Sequence, residues 1–328
     1  MNKKIITLLL ILLLTGCYDR HELNNVSILT STQINKVDNN YEVSTEIINP
    51  KQDKTTKKEI YSATGKTLDE AYRQIYEKSK KYLYSDHIQV MIINENIAKE
   101  DITQILDFFL RKPTVRTEFK VLIGNKLSSN TLKELKTNNK YLGTNNIVSF
   151  NDLASMILNP NTEIVLPSTN NNLAVFKHNK LQGYLTKEES ITYNIIKNNI
   201  KSSIITYKCN KDNYMSVEIL KSKTKIIPKN NKINIKINID VSINETNCNI
   251  SKKGINNYLN KYIKNNLNNI RTKYNSDIFG FKDEIYKHDY KNYKKLTNSW
   301  FKDIDINLNN KTNIISSGNI KENNYEKN

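Results

Sequence analysis

The chain has 328 residues, enough for two or three domains at roughly 100–200 residues each, so a sizeable buried core is within its reach. With 38% hydrophobic and 25% charged residues the composition is that of a globular chain, and it excludes disorder on this scale despite many Asn and Lys residues. Lys and Arg number 50 against 33 acids, a formal +17 that favours anionic partners without choosing among them, since Lys-, Asn- and Ile-rich usage also follows from an AT-rich genome.

The first element is an almost uninterrupted apolar run of ten residues, Ile5 to Leu14, behind the positive pair Lys3 and Lys4. A membrane span needs about 20 apolar residues, so the run is too short for a permanent anchor and reads as a cleaved signal peptide over residues 1–16. Leu14-Thr15-Gly16-Cys17 follows and resembles the bacterial lipobox, in which small residues admit the peptidase and the cysteine thiol takes up diacylglycerol. Cys17 is therefore the candidate lipidation site, carrying diacylglycerol and, as the new N-terminus, an N-acyl chain; no other cofactor is expected. No other run in the chain is long enough to span a bilayer. The expected product is a water-soluble body on the outer face of a membrane, whose anionic partners are lipid head groups and wall polymers rather than nucleic acid.

Val26 to Ile34, Tyr41 to Ile48 and Glu59 to Ala63 alternate as strands do. Thr67-Leu68-Asp69-Glu70 is a capping box, and the helix it opens places Leu68, Ala71, Tyr72, Ile75 and Ser79 on one face. A strand at His87 to Ile93, a helix carrying Ile102, Ile105, Leu106 and Phe109 and stopped by Pro113, and a strand at Phe119 to Ile123 follow. A second stretch has a helix from Asn151 to Leu158, then Leu173 to Phe176 and Leu181 to Leu185 flanking His178-Asn179-Lys180 as a hairpin. Beyond a boundary near Thr186 to Ser190 stands the clearest strand. Ile233, Ile235, Ile237, Ile239, Val241 and Ile243 alternate with polar residues, as in a sheet covered on one side. The cover is a helix bearing Ile255, Tyr258, Leu259, Tyr262, Ile263, Leu267 and Ile270; a last strand at Ile304, Ile306 and Leu308 completes the sheet, before a polar tail from Ser316 to Asn328. Interleaved strands and helices make the fold α+β: about three domains, each a mixed or antiparallel β-sheet with flanking helices, at 17–125, 126–188 and 189–328.

Catalytic signatures are missing. His21, His87, His178 and His288 have no helical or hairpin spacing to one another, and neither an H-E-x-x-H, a C-x-x-C nor a nucleophile elbow occurs. Gly65-Lys66-Thr67 imitates a phosphate loop, but Ile60 stands where its first Gly belongs, so the segment reads as a turn and helix cap. Cys209 and Cys248 can pair in an oxidising compartment or remain two buried thiols. Arg111 to Arg116 is a basic turn, either dipole-matched charge at a helix end or a docking surface for an acidic partner. Asp277-Ile278-Phe279-Gly280-Phe281 reads as a glycine turn with its apolar residues in the core.

Several segments, in order, resemble the Ger(x)C family of spore germination lipoproteins. Leu14 to Asn24 looks like the family's lipobox and W-D-R-x-E-[IL]-N leader, with Tyr18 in place of Trp. Ala63 to Leu68 with Ala71, and Asp86-His87-Ile88-Gln89-Val90, resemble its first helix and the H-x-[QK]-V strand. Asp107 to Arg116, the hairpin around Ala174 to Leu185, Asp277 to Phe281, Trp300 and Ser317-Gly318 follow its later motifs. The resemblance implies a three-domain lipoprotein on the outer face of the spore inner membrane, a non-catalytic C subunit beside germinant receptor A and B subunits, with no small-molecule substrate assigned. An exported solute-binding lipoprotein is the alternative and requires a polar cleft between two lobes; a wall hydrolase requires paired carboxylates in a groove.

Overall fold

A computed structural model describes residues 26–49, 57–112, 115–210, 212–248 and 251–316. The signal peptide, Cys17, His21, Pro113 and the tail beyond Ser316 lie outside the described residues.

β1 (Val26–Val37), β2 (Asn40–Asn49) and β3 (Lys57–Gly65) form an antiparallel meander. Asp38 and Asn39 take φ of 47° and 61°, a conformation that short Asx side chains tolerate and that the twist of a two-residue hairpin requires. Thr67 caps α1 (Leu68–Ser79) by accepting from the Glu70 N–H. The Glu70 carboxylate accepts from the Lys66 N–H at 2.7 Å rather than from Thr67, so the box closes one residue earlier than its sequence pattern implies. Leu68, Ala71, Tyr72 and Ile75 are buried as expected, whereas Ser79 leaves that face to donate to the Tyr76 carbonyl as the helix ends.

β4 (Tyr82–Tyr84) and β5 (Val90–Ile93) both run parallel to β1. The strand expected from His87 therefore starts at Val90, because Ser85–His87 winds into one 3-10 turn. After α2 (Glu95–Glu100) and α3 (Thr103–Leu110), β6 (Lys120–Ile123) completes a mixed sheet of order β3-β2-β1-β5-β6. Met91, Ile93, Val121 and Ile123 face the main core under α1 and α3, while Val90, Ile92 and Leu122 face a smaller one closed by Leu135 of α4 (Thr131–Tyr141).

α5 (Phe150–Leu158), opened by a Ser149–Asp152 capping box, leads to a three-stranded antiparallel sheet of β7 (Val165–Pro167), β8 (Leu173–Lys177) and β9 (Lys180–Tyr184). The hairpin turn is His178-Asn179, both at positive φ, and Lys180 already pairs with Lys177. Strand alternation splits this small sheet between two cores. Leu166, Ala174, Phe176 and Leu181 join the N-terminal core, and Val165, Leu173 and Val175 join the C-terminal one. The segment read as a boundary continues into α6 (Lys187–Ile196), whose residues from Glu189 onward are all buried.

The last sheet has the order β10 (Ser203–Lys208), β11 (Tyr214–Lys229), β12 (Lys232–Thr246) and β13 (Asp305–Ser316). Between β12 and β13 lie α7 (Lys252–Tyr274), α8 (Phe281–His288), α9 (Tyr290–Tyr293) and α10 (Trp300–Asp303), a crossover that returns the chain to the start of β12 and makes β13 parallel to it. The six apolar residues of β12 from Ile233 to Ile243 are buried beneath Ile255, Leu259, Ile263, Leu267 and Ile270 of α7, as their period predicts. The opposite face is basic. Lys221, Lys223, Lys225, Lys229, Lys232, Lys236 and Lys311 stand there beside Asp240 and Asp305. Cys209 and Cys248, for which two readings were open, form a disulfide that ties the ends of β10 and β12, with Cα atoms 6.1 Å apart.

Arg271 fastens the crossover to α7: its guanidinium donates to the carbonyls of Phe301, Lys302 and Ile304 at 2.9, 2.9 and 2.7 Å. Arg271→Met keeps the aliphatic packing but strands these acceptors, and we expect a loss of about 2 kcal/mol, read as a lower urea midpoint at unchanged slope.

Candidate functional site

The loop Tyr274–Phe281 clamps the small middle sheet to the C-terminal unit. Ser276 donates to the Phe176 carbonyl at 2.6 Å and the Tyr274 hydroxyl to the Tyr184 carbonyl at 2.5 Å, both across the seam. Gly280 at φ 76° turns the chain so that Ile278, Phe279 and Phe281 all enter the core, with the Phe279 and Phe281 rings 5.3 Å apart. This is the core turn read from the sequence. Tyr293 adds a third link by donating to Asn161 at 2.8 Å.

Above that seam lies a cleft of about 650 Å³ between the loop after α5, the β8–β9 hairpin, the end of α7 and the start of α10. Its charged lining is Glu163, Lys177, Asp277 and Lys282, with the exposed His178 at the rim and Trp300 and Phe301 as an aromatic wall. Glu163 accepts from the His178 N–H at 3.0 Å, and burial pushes its carboxyl above the usual range. Asp277 is 7% exposed; one carboxylate oxygen accepts from the Lys282 N–H at 2.7 Å, while Oδ1 has no hydrogen-bond partner. Neighbouring Asn275, held at φ 46° where α7 ends, also buries an Oδ1 without a partner. Lys282 sits 5.9 Å from the Tyr293 ring, and among the described residues neither Lys177 nor Lys282 makes an ion pair.

Burial raises the Asp277 carboxyl from 3.8 to about 6, against the backbone donors at Lys282, Phe281 and Phe279. The native state thus holds a proton that the unfolded chain has already released between about pH 4 and 6, so this group's contribution to stability falls as pH rises through that window and is level above it. Asp277→Asn is expected to remove that fall, which amounts to at most about 3 kcal/mol, in urea unfolding followed across the same pH series.

Other residues singled out by sequence have structural positions. His87 packs 5.3 Å from the Tyr84 ring and His288 lies 3.6 Å from Glu284; among the described residues no group of three or more His, Cys, Asp or Glu side chains gathers as metal ligands do. Gly65 serves the turn: a Cβ there would stand 2.7 Å from the Ala71 nitrogen. Arg111 pairs with Asp107 at 2.8 Å and Lys112 with Asp69 at 2.9 Å, Lys112 also lying 4.7 Å from the Phe108 ring centroid, so these two charges of the basic turn are already matched within the fold. Arg111→Gln is expected to leave the midpoint of the same urea assay unchanged, as loss of a solvent-exposed pair does. Asp277, His178 and Trp300 were singled out by sequence, but their meeting with Glu163 in one cleft escaped it, because Glu163 belongs to no motif and lies more than a hundred positions from Asp277.

Comparison with known proteins covers nearly the whole described chain. The family described as spore germination protein N-terminal domain matches residues 19–170, and the one described as spore germination B3/GerAC like, C-terminal, matches residues 171–318. Spore germination protein KC of Bacillus subtilis (strain 168) is 23% identical over an alignment of 368 residues, spanning 91% of this chain and 90% of that protein. GerQC, a spore germination protein of Bacillus cereus, is 24% identical over 190 residues, 51% of this chain and 53% of its own length. The crystal structure of the GerBC protein superposes with a TM-score of 0.54 at 17% identity, covering 90% of this chain and all of that one, which establishes a shared fold. The α+β architecture, the matched order of both halves and these relatives agree, and the chain belongs to the Ger(x)C family of spore germination proteins.

Proposed function

We propose that this protein is the non-catalytic C subunit of a spore germinant receptor, moored by lipid on Cys17 to the outer face of the spore inner membrane beside its A and B subunits. The observation that carries this reading is the end-to-end family match: two consecutive germination domains fill residues 19–318, with a germination protein aligned along 91% of the chain. The mooring rests on the lipobox ending at Cys17, and it suits a body in which, among the described residues, no helix is long and apolar enough to cross a membrane. The lysine-rich face of the C-terminal sheet suits a station above anionic head groups, where each nearby cation contributes about 1 kcal/mol of attraction.

In this role the two packed cores and the shared middle sheet supply a rigid body that transmits the germinant signal through contact surfaces rather than chemistry. Deleting the coding sequence is expected to slow nutrient-triggered loss of spore refractility while leaving vegetative doubling time unchanged. A growth defect accompanied by normal germination would contradict the assignment.

A further inference from the structure

Residues 281–295 hold five lysines and three tyrosines against three acids. Phe281 and Ile285, one turn apart on α8, are buried in the core, and this turns the other side of the segment outward: Tyr286 is 46% exposed and Tyr290, at the start of α9, 53%. The half-buried Tyr293 completes a cluster, its ring centroid 5.0 Å from that of Tyr286 and 5.9 Å from that of Tyr290, which themselves lie 5.6 Å apart. Large side chains scattered singly over a surface need no explanation, but three rings in mutual contact make one patch that the fold leaves uncovered.

The charge around this patch is one-sided. Its acids are engaged locally: Asp283 pairs with Lys287 at 2.6 Å, Asp289 accepts from the Asn292 amide at 2.7 Å, and Glu284 lies 3.6 Å from His288. The exposed Lys291, Lys294 and Lys295 have no ion pair among the described residues, and Lys294 stands 4.8 Å from the Tyr290 ring centroid. Asp289, Asn292 and Leu296 close against Pro228, Asn231 and Lys232, so the patch adjoins the β11–β12 turn, where the lysine-rich sheet face ends.

We propose that this tyrosine–lysine patch rests in the head-group zone of the bilayer, its rings at the depth of interfacial aromatic residues and its lysines on the phosphates of anionic lipid. The inference deepens the mooring at Cys17 and rests on it. A tyrosine ring is apolar with one polar tip, and a lysine has an apolar stem below its charge, so both suit a zone that is oily on one side and wet and anionic on the other. An acidic protein would satisfy the same lysines, and the tether is what favours the bilayer. Eight residues, 18–25, separate Cys17 from Val26, so however they run the start of β1 stays within about 30 Å of the lipidated cysteine. Held so close, the patch meets lipid at a high effective concentration, and a weak contact suffices to fix which side of the body faces the membrane.

The test uses the full lipidated chain in vesicles of phosphatidylcholine with phosphatidylglycerol. Cys17 is acylated in this reading and Cys209 is bridged to Cys248, so an introduced thiol is the one that takes a label. An environment-sensitive dye is placed at His288→Cys, beside the patch, or at Thr137→Cys on the exposed side of α4. The dye at position 288 is expected to shift to the blue and to be quenched by nitroxide-bearing head groups, while the dye at 137 stays aqueous. Tyr286→Ser/Tyr290→Ser should lose most of that shift, and so should Lys291→Gln/Lys294→Gln/Lys295→Gln. The lysine set alters exposed groups without ion pairs, so its unfolding temperature should match that of the parent, and its result decides the matter if the tyrosine variant misfolds. An aqueous dye at 288 on protein that floats with the vesicles would overturn this inference alone and leave the patch to a protein partner. Equal shifts at 288 and 137, or a shift that the lysine set leaves unmoved, would also overturn it. Failure of the chain to float at all would sink the mooring and this inference together.

Discussion

Replacing Cys17 with Ala is expected to move the protein from the membrane fraction of spores to the soluble fraction. The apolar run before Cys17 is ten residues, half of what a span requires, and no other run in the sequence is long enough to cross a bilayer as a helix. Among the described residues no helix supplies one either. Each buried acyl methylene contributes about 0.8 kcal/mol and a single chain holds only marginally, so firm attachment needs the two or three chains that a lipidated, N-acylated cysteine carries. The basic sheet face leaves the variant a residual, salt-sensitive affinity for anionic lipid. The fractions are therefore compared after a wash at about 1 M salt, where the screening length shrinks to about 3 Å. Full membrane retention of Cys17→Ala after that wash would dispose of the lipid anchor, and intact mass of the wild-type N-terminal peptide supplies the independent check.

Cys209→Ser with Cys248→Ser is expected to lower the unfolding free energy by about 4 kcal/mol, the chain-entropy estimate for closing a loop of 39 residues. The bridge joins the edge strand β10 to the far end of β12; without it the Cys209 end of β10 is held by pairing with β11 and by the packing of Ile205 and Tyr207. Reductant should lower the stability of the wild type to that of the double variant and leave the variant unmoved. Equal urea midpoints for wild type and variant under oxidising conditions would show that the pair contributes nothing.

The reach of sequence reading follows how strongly each segment's own pattern is tied to its fold. β12 was legible because six apolar residues alternate without a break over eleven positions, and α7 because its stripe from Ile255 to Ile270 repeats for more than four turns. The capping residue Thr67 was legible because capping is a contact three residues long. α4 was missed: its polar run Lys136-Thr137-Asn138-Asn139-Lys140 leaves chiefly Leu135 to cover the underside of β5 and β6. β11 was missed for another reason, since a bulge between Ile219 and Lys221 shifts its alternation by one residue and moves the buried positions from odd to even.

By itself the sequence determined the α+β class, the order of the main strands and helices and the germination family, because each is written in residues close together along the chain. Tertiary structure decided the rest. The parallel pairing of β13, the pairing of Cys209 with Cys248, the sharing of β7–β9 between two cores and the cleft holding Glu163 beside Asp277 all join residues far apart in sequence. Local periodicity reports which face of a segment is buried but not against what; only the simultaneous packing of all the apolar faces selects the partners.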